Sequence, residues 1–112
     1  MKIAVPVANG KLNMHFGHCE AFALLHVNKE EKSIIKREDV AAPPHEPGLL
    51  PRWLAERNVS LVIAGGMGQR AQSLFAEHDI RVIIGAPAET PEALVTSLLH
   101  GTLVSGVNVC DH

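Results

Sequence analysis

The chain has 112 residues, 46% of them hydrophobic, and a formal net charge of −2. That length fits one domain over 1–112, burying roughly two-thirds of its unfolded surface without staples. The near-neutral balance lacks the basic stripe that phosphate neutralisation needs, which argues against nucleic acid as a partner. No run approaches the roughly 18 apolar residues of a membrane span, so no membrane partner is expected either.

The opening run "KIAVPV" superficially resembles a signal peptide. It is short, contains Pro6 and ends in the Asn9-Gly10 turn, so it is read as a buried first strand and the chain as cytoplasmic. Two cysteines far apart are expected to be reduced thiols. "AFALLHV" and "SIIKREDV", joined by "NKEEK", read as a hairpin, with Lys36, Arg37, Glu38 and Asp39 protecting an edge strand. "AAPPHEPG" is a loop containing His45. "LLPRWLAERN" then places Leu50, Trp53, Leu54 and Arg57 at helical spacing, with Asn58 as a stop.

"VSLVIAGG" is a second core strand. "QRAQSLFAEHD" is helical, with Ala71, Leu74, Phe75 and His78 on one stripe. "IRVIIG" is a third strand, and "TPEALVTSLLHG" a helix with Thr90 as N-cap, Pro91 first and Gly101 as stop. The tail "TLVSGVNVCDH" is read as irregular or a short strand. Continuous apolar strands alternating with helices imply a mostly parallel sheet covered on both faces. The hairpin adds an antiparallel member, giving an α/β fold with a mixed sheet in three α/β/α layers.

In such sheets ligands bind beyond the carboxyl ends of the strands, where strand order reverses. If the first strand and "LVIA" are parallel neighbours, the loop "NGKLNMHFGHCE" faces "GGMGQR". Gly65, Gly66 and Gly68 let backbone N–H groups approach a ligand, and Met67 sits among them. The helix starting near Gln69 adds its dipole, and Arg70 a fixed charge. His15 and His18 suit a metal or, protonated, an anion. Cys19 and Met14 offer soft sulfur. An anionic metal–sulfur cluster satisfies both loops, whereas a lone zinc has no need of the glycines.

"HFGHCEAF", "IAGGMGQRA", "IRVIIGA" and "LLHGTL" resemble the dinitrogenase iron–molybdenum cofactor biosynthesis family, the NifX-like and NifB C-terminal-like domains. The resemblance spans nearly the whole chain in order. It implies a ribonuclease-H-like fold with a mixed five-stranded sheet containing one antiparallel strand. It also implies noncovalent or weakly ligated binding of a molybdenum-containing metal–sulfur cluster, with donor and recipient proteins of cluster assembly as partners. Some relatives, the small orange proteins, carry a molybdenum–copper–sulfide cluster, so iron and copper both stand as the second metal. Carried over by position, the His-Phe-Gly segment falls on His15, Phe16 and Gly17, and the glycine loop on Gly65, Gly66, Met67 and Gly68, with Gln69 and Arg70 following. His18 and Cys19 sit where relatives vary, and Cys110 and His112 lie outside the common pattern.

Plainer roles stand beside these. Phe16 can plug the core, Cys19 can be a small buried hydrophobe, and Met14 and Met67 can be packing residues. His26 suits a surface or structural role, and His78 and His100 suit helix C-termini. Cys110 and His112 have the spacing of a metal clip, on an end that usually frays. A nuclease is disfavoured, because "KIAVPVA" and "LVIAGG" carry no carboxylates for paired cations. "GGMGQR" lacks the lysine–hydroxyl pair of a P-loop, leaving only a smaller anion. The function expected is therefore non-catalytic carriage or assembly of the cluster. A simple copper or zinc metallochaperone, or a small-anion-binding module, is the alternative.

Overall fold

A computed structural model describes residues 1–14, 16, 19–44, 46 and 48–103. The apolar run Lys2–Ala8 forms β1. Asn9 and Gly10 both take positive φ, 55° and 79°. Ala8 then pairs with Lys11 to open the two-residue strand β2, Lys11–Leu12. Two consecutive positive-φ residues are what a tight hairpin with the native strand twist demands, and Asn-Gly supplies them at least cost. The sequence reading placed these residues in a loop. They form a sixth strand instead, because the turn that ends β1 also returns the chain against it.

β3 (Ala21–Asn28) and β4 (Ser33–Ala41) are the expected antiparallel hairpin. Then follow α1 (Leu49–Glu56), β5 (Leu61–Ile63), α2 (Gln69–Glu77), β6 (Arg81–Ile83) and α3 (Pro91–Leu99). The sheet order is β4-β3-β1-β5-β6, with β2 attached to β1. β1 is parallel to β5, and β5 to β6, while β3 is antiparallel to both its neighbours. Within the five-strand path β3 alone is reversed, as the ribonuclease-H-like expectation requires.

Alternate residues of each strand face opposite layers. Ile3, Val5, Ala23, Leu25, Leu61 and Ile63 pack with Leu94 and Val95 of α3. Ala4, Phe22, Leu24 and Val62 pack with Leu54 of α1 and Phe75 of α2. Burial on both faces explains why the strands read as continuous apolar runs.

Helix ends follow local chemistry. The Thr90 hydroxyl accepts a hydrogen bond from the Ala93 N–H at 3.3 Å, with Pro91 at the first helical position. Asn58 and Asp79 adopt φ of 64° and 59° just past α1 and α2, ending each helix in the left-handed region. His78 and His100 are C-caps. The stripe expected for His78 fails, since it lies exposed at the end of α2 rather than on its buried face. On edge strand β4, Arg37 forks onto Asp39 (2.7 and 3.1 Å) and Glu92 of α3 (2.6 Å). That guanidinium holds the Glu92 carboxyl below its usual range. His26 hydrogen-bonds Glu38 at 3.1 Å, a structural role. Residues 104–112, including Cys110 and His112, lie outside the described residues, as does His45.

Candidate functional site

β1 leads to β3 on one side, and β5 leads through α2 to β6 on the other, so strand order reverses between β1 and β5. These two strands are adjacent and parallel, with Ile3 opposite Leu61 and Ala4 opposite Val62. The condition on which the two loops were expected to meet is met. Val7 pairs with Ala21 on one side and Leu12 on the other, so β2 fills the lane beyond the end of β5. Pro6 sits past the last β5 pairing, where no β5 carbonyl awaits its missing N–H, and its own carbonyl accepts the Asn13 N–H at 2.9 Å.

The loops are joined directly. The Phe16 N–H donates to the Gly66 carbonyl at 3.3 Å. A Cβ built on Gly65 would stand 2.9 Å from Met14 Sδ and 3.0 Å from Met14 Cα. Gly65 is therefore a glycine because the preceding loop lies against it. The loop after β6 closes the same edge, with the Gly85 N–H on the Gly65 carbonyl and the Leu12 N–H on the Glu89 carbonyl, each at 2.9 Å. The stem returning to β3 is held by the Glu20 N–H on the Val7 carbonyl at 3.0 Å.

Phe16 anchors the segment through aromatic contacts. Its ring stands edge-on to Phe22 and Phe75, with centroids 5.9 and 5.5 Å apart, and Phe22 continues the cluster to Trp53 at 5.7 Å. Phe16 thus plugs the core between the sheet and α2, and its backbone reaches the glycine loop. The two sulfur-bearing residues diverge. Met14 packs against the α3-side core, and Cys19 against the core beneath α1 and α2. Met67, only 1% exposed, belongs to that second core, so the loop residue it contributes to an edge site is backbone.

Along "GGMGQR" burial falls from core to solvent. Gly65 and Gly66 are buried, Gly68 is half-buried, and Gln69 and Arg70 are exposed. Gly68 is the N-cap of α2, with no side-chain cap and no acidic residue in the first turn. The N–H groups of Gln69, Arg70 and Ala71 therefore have no intrahelical acceptor, and the positive end of the helix dipole is not neutralised locally. Among the described residues, a Cβ on Gly68 would meet nothing within 4 Å. Gln72, which sequence reasoning passed over, closes the loop from behind: its Nε2 donates to the Met67 carbonyl at 2.9 Å. Its contribution is a side-chain-to-backbone bond one turn into the helix, which leaves no periodic or motif signal.

His15, Gly17 and His18 lie outside the described residues. Among the described residues, no group of three His, Cys, Asp or Glu side chains is placed to hold a metal ion, and no helix is long and apolar enough to cross a membrane.

Comparison with known proteins agrees with this architecture. Residues 1–101 match a family model described as "Dinitrogenase iron-molybdenum cofactor". The uncharacterized protein MJ0580 of Methanocaldococcus jannaschii is 30% identical over 88 residues, covering 73% of this chain and 72% of that protein. The crystal structure of PH0822 superposes with a TM-score of 0.85 at 23% identity, covering 94% of each chain. The apo form of the orange protein (ORP) from Desulfovibrio gigas gives a TM-score of 0.72 at 20% identity, covering 96% of this chain and 93% of that one.

Proposed function

The chain belongs to the dinitrogenase iron-molybdenum cofactor family, and from that membership we propose that it binds and carries an anionic molybdenum-containing metal–sulfur cluster as cargo. It does so without catalysing a reaction on the cluster, passing it between donor and recipient proteins in the cytoplasm. The observation that carries this reading is the uncapped start of α2, set in a glycine loop that is hydrogen-bonded to the Phe16 segment. Backbone N–H groups there suit the spread charge of a sulfide-rich cluster better than they suit a single cation.

Each residue has a stated part. Gly65 and Gly66 let Met14 and Phe16 close against the loop, and Gly68 leaves room for the cargo among the described residues. Gln69 and Arg70 stand exposed at the mouth, where the Arg70 charge attracts an anion. His15, His18 and Cys19 are the candidate metal ligands, with copper(I) or iron as the second metal beside molybdenum. A single-ion copper or zinc metallochaperone would rest on those three residues alone and would make no use of the backbone donors at the uncapped start of α2.

Reconstitution with tetrathiomolybdate, alone and with copper(I) or iron(II), tests the reading by elemental analysis and visible absorption. A sulfide-dependent chromophore with molybdenum bound stoichiometrically is expected. Uptake of one copper or zinc ion with no sulfide-dependent colour would establish the metallochaperone instead.

A further inference from the structure

We propose that the depression between the end of α1 and the β3–β4 hairpin binds a carboxylate group, carried by a small free acid or by an acidic side chain of a partner protein. The depression encloses about 320 Å³ and is lined by Lys2, Leu24, Glu38, Val40, Arg57 and Asn58. That size stands at the lower end of the roughly 300–1,000 Å³ of small-ligand pockets. Lys2 opens β1 and Asn58 follows α1, so the depression lies at the amino ends of the parallel strands. The glycine-loop edge is about 20 Å away along β1, and both places can be occupied at once. The chemistry of the depression does not depend on what the glycine loop holds.

Two cations meet there without a counter-ion. The Lys2 Nζ donates to the Arg57 carbonyl at 2.7 Å, which seats its ammonium beside the residue that carries the second charge. Among the described residues neither side chain forms an ion pair. The Arg57 guanidinium stands 4.2 Å over the Trp53 ring, and that ring is packed in turn on Phe22 at 5.7 Å. Its Nε is sealed from solvent with no acceptor, so stacking and not a hydrogen bond fixes the group. The terminal nitrogens make no hydrogen bond among the described residues either, and they are open to solvent. A guanidinium is thus held rigid on an aromatic face with its donors unspent, beside a second cation.

The lining selects the kind of anion. A preset guanidinium fork matches a planar carboxylate or a phosphate through two parallel hydrogen bonds. Glu38 decides between them. It stands on the far wall, on β4, hydrogen-bonded to His26 at 3.1 Å. That bond holds its carboxyl below the ordinary range, so it is ionised at neutral pH. With two cations and one anion in the lining, a single negative charge completes the balance. A phosphate dianion exceeds it and is repelled by Glu38. Leu24, 1% exposed, forms the floor between β1 and β4 with Val40 beside it. Apolar walls of this kind suit the methylene carbons behind a carboxylate and not further charge.

The test uses the full chain without cargo, at constant ionic strength. Trp53 is the only tryptophan and the chain has no tyrosine, so its emission reports on the stacked Arg57. Acetate and a capped peptide bearing one glutamate are titrated separately, with chloride and inorganic phosphate as comparisons. A saturable change with either carboxylate probe supports the site. Acetate binding as tightly as the peptide assigns a free acid, and tighter binding of the peptide assigns a partner's acidic side chain. Arg57→Lys keeps the charge and loses the fork, so affinity should fall roughly tenfold, the scale of one hydrogen bond between charged groups. Lys2→Gln keeps a donor for the Arg57 carbonyl and leaves the Trp53 stack in place, and it should weaken binding as well. The Asn58 side-chain amide, followed by NMR, reads both variants without relying on Trp53. A response that rises linearly with concentration, or that chloride matches, overturns the proposal. Tighter binding of phosphate than of either carboxylate overturns it too, as does wild-type affinity in a folded Arg57→Lys.

Discussion

Gly65→Ala is the sharpest test of how the two loops are held together. The added Cβ would fall 2.9 Å from Met14 Sδ, 3.1 Å from Met14 Cε and 3.0 Å from Met14 Cα. The sulfur and methyl can swing aside, but the Cα moves only with its backbone, which is tied through Asn13 to the Pro6 carbonyl and through Phe16 to Gly66. Overpacking of this kind costs about 1–3 kcal/mol. Replacing glycine by alanine returns roughly 0.4–1 kcal/mol by narrowing the unfolded ensemble. The net loss should be about 1–2 kcal/mol, a fall in Tm of roughly 4–8 °C for a chain of this size. Gly68→Ala is the internal control: among the described residues its Cβ meets nothing within 4 Å and its φ is ordinary, so the unfolded-state gain offsets alanine's poorer N-capping and Tm should hold. Thermal and urea melts measure both, and hydrogen exchange at the Phe16 amide reports whether the bond to Gly66 is lost in Gly65→Ala. Equal melting temperatures for the two variants, with Phe16 still protected in both, would refute the close approach as the reason for Gly65.

Two further outcomes follow from charge. Arg70→Glu should leave the melting temperature nearly unchanged, because the side chain is exposed, while weakening tetrathiomolybdate uptake in a manner that moderate salt relieves; equal uptake at low salt would remove Arg70 from the mouth. The Glu92 carboxyl, held below its ordinary 4.5 chiefly by the hydrogen bond from Arg37, stabilises the fold above the unfolded value and loses that contribution as pH falls through the folded one. Wild type should therefore melt slightly above Glu92→Gln at neutral pH, the gap closing in acid and staying small because both partners are solvent-screened; a gap constant from pH 7 to pH 3 would contradict this.

The legible parts of the sequence were those with local causes. Thr90-Pro91 announced a helix start through capping chemistry, and Asn58 and Gly101 announced ends through positive φ. The meeting of the two loops followed from topology alone, once apolar continuity marked β1 and β5 as interior strands. β2 was missed because two residues carry no periodicity, although Asn9-Gly10 was a hairpin signal and not merely a strand end. Met67 could be read as a packing residue or as a pocket-lining member of the glycine loop, and its burial in the core bears out the packing role. The opposite destinations of Met14 and Cys19 depend on which core each reaches, and their spacing in the loop says nothing about that.

The sign of the chain as a whole sharpens the point about the edge. With a net charge of −2, long-range attraction does not recruit an anion, so whatever holds one must act at short range. The glycine loop concentrates short-range donors: an uncapped helix start, exposed Arg70 beside it, and no acidic residue in the first turn. Backbone donors have a further property that lysines and arginines lack. Their direction is set by the chain, and Gln72 helps fix that of the Met67–Gly68 peptide by donating to the Met67 carbonyl. A fixed cluster of cationic side chains would hold a sulfide-rich anion more tightly and surrender it less readily. Under the proposed carrier function, an edge built from glycines and peptide dipoles suits cargo that is passed on, with Phe16 anchored by its aromatic neighbours beside it.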